Sequence, residues 1–202
     1  MLFPRSHIDR HYRRNREADL SRVLSEDGLL NGQGRPGLSE LSFGYSHVGH
    51  AGCESIAVYN ALLLLGLPQP LPDIIRAFEK GGYMRFGGYM GAAPYFQPLL
   101  RRCGAESRVI RPARAQTLAE RGELDSGAVF LAAIWNDRLL PFKGLHTFAV
   151  CHMPLPDGKR WTVYNRFNSD AHPRRYVALD DILRNGKQKG AFLVMYRVIP
   201  LT

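Results

Sequence analysis

The sequence predicts an α+β protein, a helical lobe packed against an antiparallel sheet, from two kinds of segment and the order in which they come. Apolar segments of helix length follow residue 41, and short β-branched or aromatic runs bounded by Gly, Pro and Asp occupy the later half. The chain of 202 residues is 45% hydrophobic and 22% charged, enough apolar material for the core of one domain and too much for a disordered chain.

Residues 1–40 read as a basic arm, with a short helix at 17–25 and a Gly-rich polar linker at 27–40 (DGLLNGQGRPGLSE). Residues 41–202 form the domain proper. Residues 53–65 are free of Gly and Pro and apolar nearly all round, the pattern of a helix buried on every side. Gly66 suits the left-handed residue past its end, and Pro68 prevents continuation. Further helices are expected at 71–80 and at 93–103, the latter ended by Gly104. Strands are expected at 107–110, 128–135, 145–152, 161–164 and 192–199, with helical segments at 114–121 and 179–185.

No stretch approaches the roughly 18 apolar residues of a membrane span, and MLFPRSHIDRHYRR lacks the apolar core of a secretory signal. No membrane role is expected. The expected setting is the cytosol, or a target cell reached by a route that reads no such signal. Net charge is +9 with a pI near 9.8. The excess lies in Arg5, Arg10, Arg13, Arg14 and Arg16, then in Arg101, Arg102, Arg108, Arg111 and Arg114. Such charge suits an acidic protein surface or nucleic acid. The chain has no Gly-rich phosphate loop, base-stacking aromatic pair or helix-turn-helix pattern, so nucleic acid is not an expected partner.

The cysteines, Cys53, Cys103 and Cys151, are too few and too far apart for a disulfide framework. No Cys-x-x-Cys pair occurs, and no metal or cofactor is expected. Cys103 and Cys151 read as small buried hydrophobes. Cys53 differs. In GHAGCESIAVYNALLLLG it stands where a glycine-flexed loop enters the buried helix, and unpaired N–H groups at a helix start favour a thiolate. Gly49 and Gly52 would leave room for a substrate to approach.

A nucleophilic cysteine needs a base and a group that orients the base. GLHTFAVCHM puts His146 near the start of one strand, and WTVYNRFNSD puts Asn165 near the end of the next. With a four-residue loop at 154–157, Asn165 falls directly opposite His146 on one face, where its amide oxygen would hold the imidazole. A two-residue loop at 157–158 keeps them on one face but four residues out of step, and a five-residue loop separates the faces. His152 shares the face of His146 at the turn end. His47 and His50 precede Cys53 as candidate cleft residues, while His7, His11 and His172 read as surface.

In this order, GHAGCESIAVYNALLLLG, GLHTFAV, a turn and WTVYN resemble the papain-like cysteine peptidases over roughly residues 41–199. They are most similar to the bacterial bacteriocin-processing (double-glycine) branch and its stand-alone relatives. The resemblance implies a papain-like fold with the cysteine helix in the helical lobe and the His and Asn on the sheet. It implies Cys53 as nucleophile, His146 as base and then acid, and Asn165 as orienting residue. The glutamine that the family places several residues before its cysteine is missing from FGYSHVGHAG. Ser46 or His47 stands in as side-chain donor to the oxyanion, with the Cys53 N–H as the second donor. GGYMRFGGYMG at 81–91 is a candidate cleft loop. The expected partner is a protein or peptide substrate, acidic if the basic surface steers it. A toxin delivered into a rival cell would also have an inhibitory immunity protein. The same residues serve an acyltransferase or glutamine deamidase, and a third reading keeps the fold as a non-enzymatic binding module.

Overall fold

The computed structural model describes residues 4–81, 96–138, 144–185 and 188–201. Helix α1 (Arg5–Arg16) ends in Arg13, Arg14 and Arg16, cations that suit the negative end of a helix. The helix expected at 17–25 does not form. The Asp19 carboxylate accepts the Ser21 N–H at 2.9 Å, and a bridge joins Leu24 to Leu30. Local side-chain bonding of this kind competes with helix. Residues of this N-terminal segment, Ile8, Val23, Leu30 and Leu38, share one core with the helices that follow.

A two-stranded hairpin, β1 (Ser42–Phe43) and β2 (Ser46–His47), runs into the four-residue helix α2 (Val48–Ala51). Next come α3 (Cys53–Leu64) and α4 (Leu71–Lys80). Helix α3 stops as its sequence predicts: Gly66 has φ 73°, and the Leu67 N–H returns to the Leu62 carbonyl at 2.9 Å. Helix α1 is held to α4 and the hairpin by polar contacts. Glu79, fully buried, accepts from His11 Nδ1 at 2.7 Å and from the Gly44 N–H at 2.8 Å. Arg76 pairs with Asp9 at 2.6 Å, and the Tyr12 hydroxyl donates to Asp73 at 2.7 Å. His11, and His7 with its ring tilted against it at a centroid distance of 4.0 Å, are therefore half-buried docking residues and not surface ones.

Helix α5 (Phe96–Arg102) precedes strand β3 (Ala105–Val109), helix α6 (Pro112–Glu120) and strands β4 (Val129–Trp135), β5 (Leu145–His152) and β6 (Trp161–Tyr164). Strand β7 (Arg174–Tyr176) follows, a charged edge strand whose three residues carry no alternation to announce it. Residues 179–185, expected as helix, divide into a 3₁₀ turn (Leu179–Leu183) and β8 (Arg184–Asn185), which pairs with β9 (Gln188–Lys189). Strand β10 (Ala191–Pro200) completes a six-stranded antiparallel sheet of order β3-β10-β4-β5-β6-β7. The protein is thus α+β.

Two cores flank the sheet. Val129, Leu131 and Val198 face α3 and its neighbours, with Ile56 and Leu62 fully buried against them. Phe130, Ile134, Phe148, Val150 and Trp161 face the other way, toward Ala115 and Ala119 of α6 and Leu179 and Ile182 of the 3₁₀ turn. Strand β4 is covered on both sides, and its sequence VFLAAIW is accordingly apolar throughout. Among the described residues no helix is long and apolar enough to cross a membrane.

Candidate functional site

Cys53 is the first residue of α3. The turn that delivers it is set by Gly52, because a Cβ there would lie 2.7 Å from the Val48 Cα and 2.8 Å from its carbonyl oxygen. The bare side of Gly49 likewise meets the Ser39 side chain, at 2.8 Å. The space these glycines were expected to leave for a substrate is filled by the protein itself. The half-buried Cys53 thiol is pushed up to about 12 by burial and by the Glu54 carboxylate. The N–H groups of Thr147, Glu54 and Cys53 itself pull the other way. The helix start therefore acts on the sulfur in the expected direction, and desolvation outweighs it. Glu54, half-buried beside the cysteine, is pushed up to about 8 by burial. Burial also raises Cys151, to about 11.

The contact with Thr147 puts the sulfur one residue from His146 on β5. The His146 side chain, buried at 6% exposure, donates from Nε2 to the main-chain carbonyl of Asn165. A carbonyl only accepts, so Nε2 carries the proton and Nδ1 is the bare, basic nitrogen. Burial and the Arg166 guanidinium bring His146 down to about 4, against the Asn165 carbonyl and Asp170, which raise it. Arg166 is buried, donates to the Ile182 carbonyl at 2.8 Å and lies over Phe167 at 4.3 Å. Arg174 holds Asp170 through two contacts of 2.9 and 2.8 Å.

The register expected for β5 and β6 is displaced by two residues. Ala149 pairs with Tyr164 and His152 with Trp161, so Asn165 falls level with Phe148, not His146. The connection is longer than four residues: the Met153 N–H reaches the Arg160 carbonyl, and the tight turn lies beyond it, where Gly158 N–H meets the Leu155 carbonyl. A shift of two preserves the face. It also means that the Asn165 amide does not hold the imidazole. Its Oδ1 accepts the Gln33 N–H at 2.9 Å and its Nδ2 donates to Gln33 Oε1 at 3.2 Å. Asn165 has φ 60°, a left-handed backbone that Asn tolerates better than most residues.

Gln33 was hidden in the presumed linker. It is 3% exposed, and its Nε2 also donates to the Gly49 carbonyl at 3.3 Å. The paired amides of NGQG, set among glycines at 31–34, were the one signal available. Ser46 lies half-buried on β2, and His47 is exposed before α2 with its ring 6.2 Å from His50. His152 donates from Nδ1 to the Asp125 main-chain carbonyl, 3.1 Å away, at the far end of β5. Residues 82–91 of the expected cleft loop lie outside the described residues. Among those described, no group of three or more His, Cys, Asp or Glu side chains is arranged to hold a metal ion. Comparison of the chain with protein-family models, curated proteins and solved structures finds no match in any of the three.

Proposed function

We propose that this protein is a thiol hydrolase of papain-like layout that cleaves peptide bonds, with Cys53 as nucleophile and His146 as base. The observation that carries the reading is the start of a buried helix at Cys53, whose sulfur is met by the N–H of Thr147 on the strand that carries His146 in a single tautomer. Pairing of β5 with β6 runs only to Ala149 and Tyr164, which leaves residues 145–148 outside that ladder.

The resting pair is neutral, since the thiol is raised and the imidazole lowered. As the sulfur attacks the substrate carbonyl, its proton passes to Nδ1 of His146 and then to the leaving amine. The C–N bond breaks and a thioester remains on Cys53. Water, deprotonated by the same nitrogen, attacks the thioester and releases the acid and the thiol. The Cys53 N–H, with Ser46 or His47, is the proposed donor set for the oxyanion. The exposed Arg101, Arg102, Arg108 and Arg111 favour a substrate protein with an acidic face.

The test is mass spectrometry of the products from a peptide mixture and an acidic protein. Two fragments that together contain one added water, absent with Cys53→Ala, support hydrolysis. Conversion of Gln to Glu without chain cleavage replaces it with deamidation. An unmodified mixture and no acyl-enzyme on Cys53 leave the binding-module reading.

A further inference from the structure

We infer that Asn31 and Gln33 are positioning residues for His146, acting through the main chain of Asn165; the inference rests on the thiol-hydrolase reading above. Asn165 has four polar groups. Its N–H donates to Asn31 Oδ1 at 2.9 Å, its Oδ1 accepts from the Gln33 N–H at 2.9 Å, and its Nδ2 donates to Gln33 Oε1 at 3.2 Å. Its carbonyl accepts from His146. Three of the four are held by one loop, so the direction of the fourth is set by that loop.

The need for such a hold is physical. Asn165 lies past the end of β6 with φ 60°, a conformation that costs an L-residue roughly 1–2 kcal/mol. Without outside contacts the peptide would relax, and its carbonyl would turn from Nε2. Asn31, Gln33, Asn165 and His146 are all at least nine-tenths buried, so water does not substitute freely for these bonds.

The loop is itself anchored at both ends. Asn60 of α3, two turns after Cys53, bonds both the N–H and the carbonyl of Leu30 at 2.8 Å. Gly34 N–H reaches the Asn168 carbonyl at 2.9 Å, and a Cβ on Gly32 would run into the Asp170 carbonyl. Gln33 also reaches the Gly49 carbonyl just ahead of Cys53. The strap thus spans the cysteine helix and the acceptor of the histidine, and fixes one against the other.

The experiment reads the His146 tautomer by long-range ¹H–¹⁵N NMR on the full ¹⁵N-labelled chain, alongside peptide hydrolysis and thermal melting. In the parent, His146 is the Nε2–H form. In Gln33→Ala and Asn31→Ala it becomes a mixture of tautomers. There kcat and kcat/KM fall together by about 10²-fold, as loss of alignment does. Asn31→Asp keeps the Oδ1 acceptor and is expected to restore the parent tautomer and most of the rate. Should Gln33→Ala fail to fold, Gln33→Met, of similar length and without the amide, is read in the same way. An unchanged tautomer in both folded single variants overturns the assignment, as does a rate loss with the tautomer unmoved. The tautomer is read whether or not the parent cleaves any peptide. A silent assay with a shifted tautomer therefore sinks the reaction and leaves the positioning role standing.

Discussion

His146 is held by the backbone of Asn165 and not by its side chain: Nε2 donates to the main-chain carbonyl, while the amide is turned to Gln33. What matters at position 165 is therefore a left-handed residue whose peptide is pinned, and the amide acts at one remove.

Substitution at this position should separate backbone from side chain. Asn165→Gly and Asn165→Ala both lose the contacts with Gln33, but glycine accepts φ 60° without strain. Asn165→Ala is expected to be less stable than Asn165→Gly by about 1 kcal/mol and to lose more activity. Denaturant titration of the two variants checks it; equal midpoints would show that the left-handed backbone carries no cost.

Under the proposed mechanism the His146 imidazole is expected to set the acid limb of activity. With its pKa near 4, the ring is already a free base at pH 5. The acid limb of kcat/KM is expected near pH 4, well below the ordinary histidine range. The sign for stability follows from linkage. The unfolded ring takes up a proton below about 6.5 while the folded one resists until about 4. The stability this gives is complete above the first value and about 3 kcal/mol is lost by the second. Melting of the parent and His146→Gln across that window measures it, and parallel curves would refute the buried neutral ring.

Cys53 alkylation should be slow at neutral pH and climb with each pH unit, since the thiol is held up near 12. A thiolate stabilised by the helix start alone would react at a rate nearly independent of pH. The rate of iodoacetamide labelling at Cys53, followed by peptide mapping from pH 6 to 10, distinguishes the two. A plateau below pH 8 would contradict the dominance of burial.

Glu54→Gln should speed that labelling at pH 9 and leave it nearly unchanged at pH 6. The carboxyl is raised to about 8, so it is charged and opposes the thiolate only at the higher pH. Its raised pKa also favours the folded protein below about 4.5 and loses that advantage as pH rises to about 8. The Gln variant is thus expected to gain stability relative to the parent over this interval. No crossover in labelling or melting would place Glu54 away from the sulfur.

Gly52→Ala is expected to cost about 1–3 kcal/mol, the usual range for overpacking, because its methyl would meet backbone atoms of Val48 at 2.7 and 2.8 Å. A flexible neighbour would yield, but main chain in the turn before α3 does not. The melting temperature of the variant checks the cost, and Cys53 labelling in the same sample checks whether the thiol has moved.

The elements whose pattern is local can be read from the residues alone. Helix α3 announces itself by a run without Gly or Pro and stops at Gly66 because only a left-handed residue closes that end. Strands β5 and β6 span the residues expected, since their apolar runs are bounded by turn formers. Tertiary structure decided the rest. The β5–β6 register depended on how the connection folds beyond Met153, where several loop lengths satisfy the same residues. The ionisation of Cys53 depended on burial by distant segments, which a helix-start argument does not see. The hold on Asn165 comes from Asn31 and Gln33, more than 130 residues earlier in the chain. No local periodicity records such a pairing, because the amides satisfy one another only once helix and sheet have closed around them.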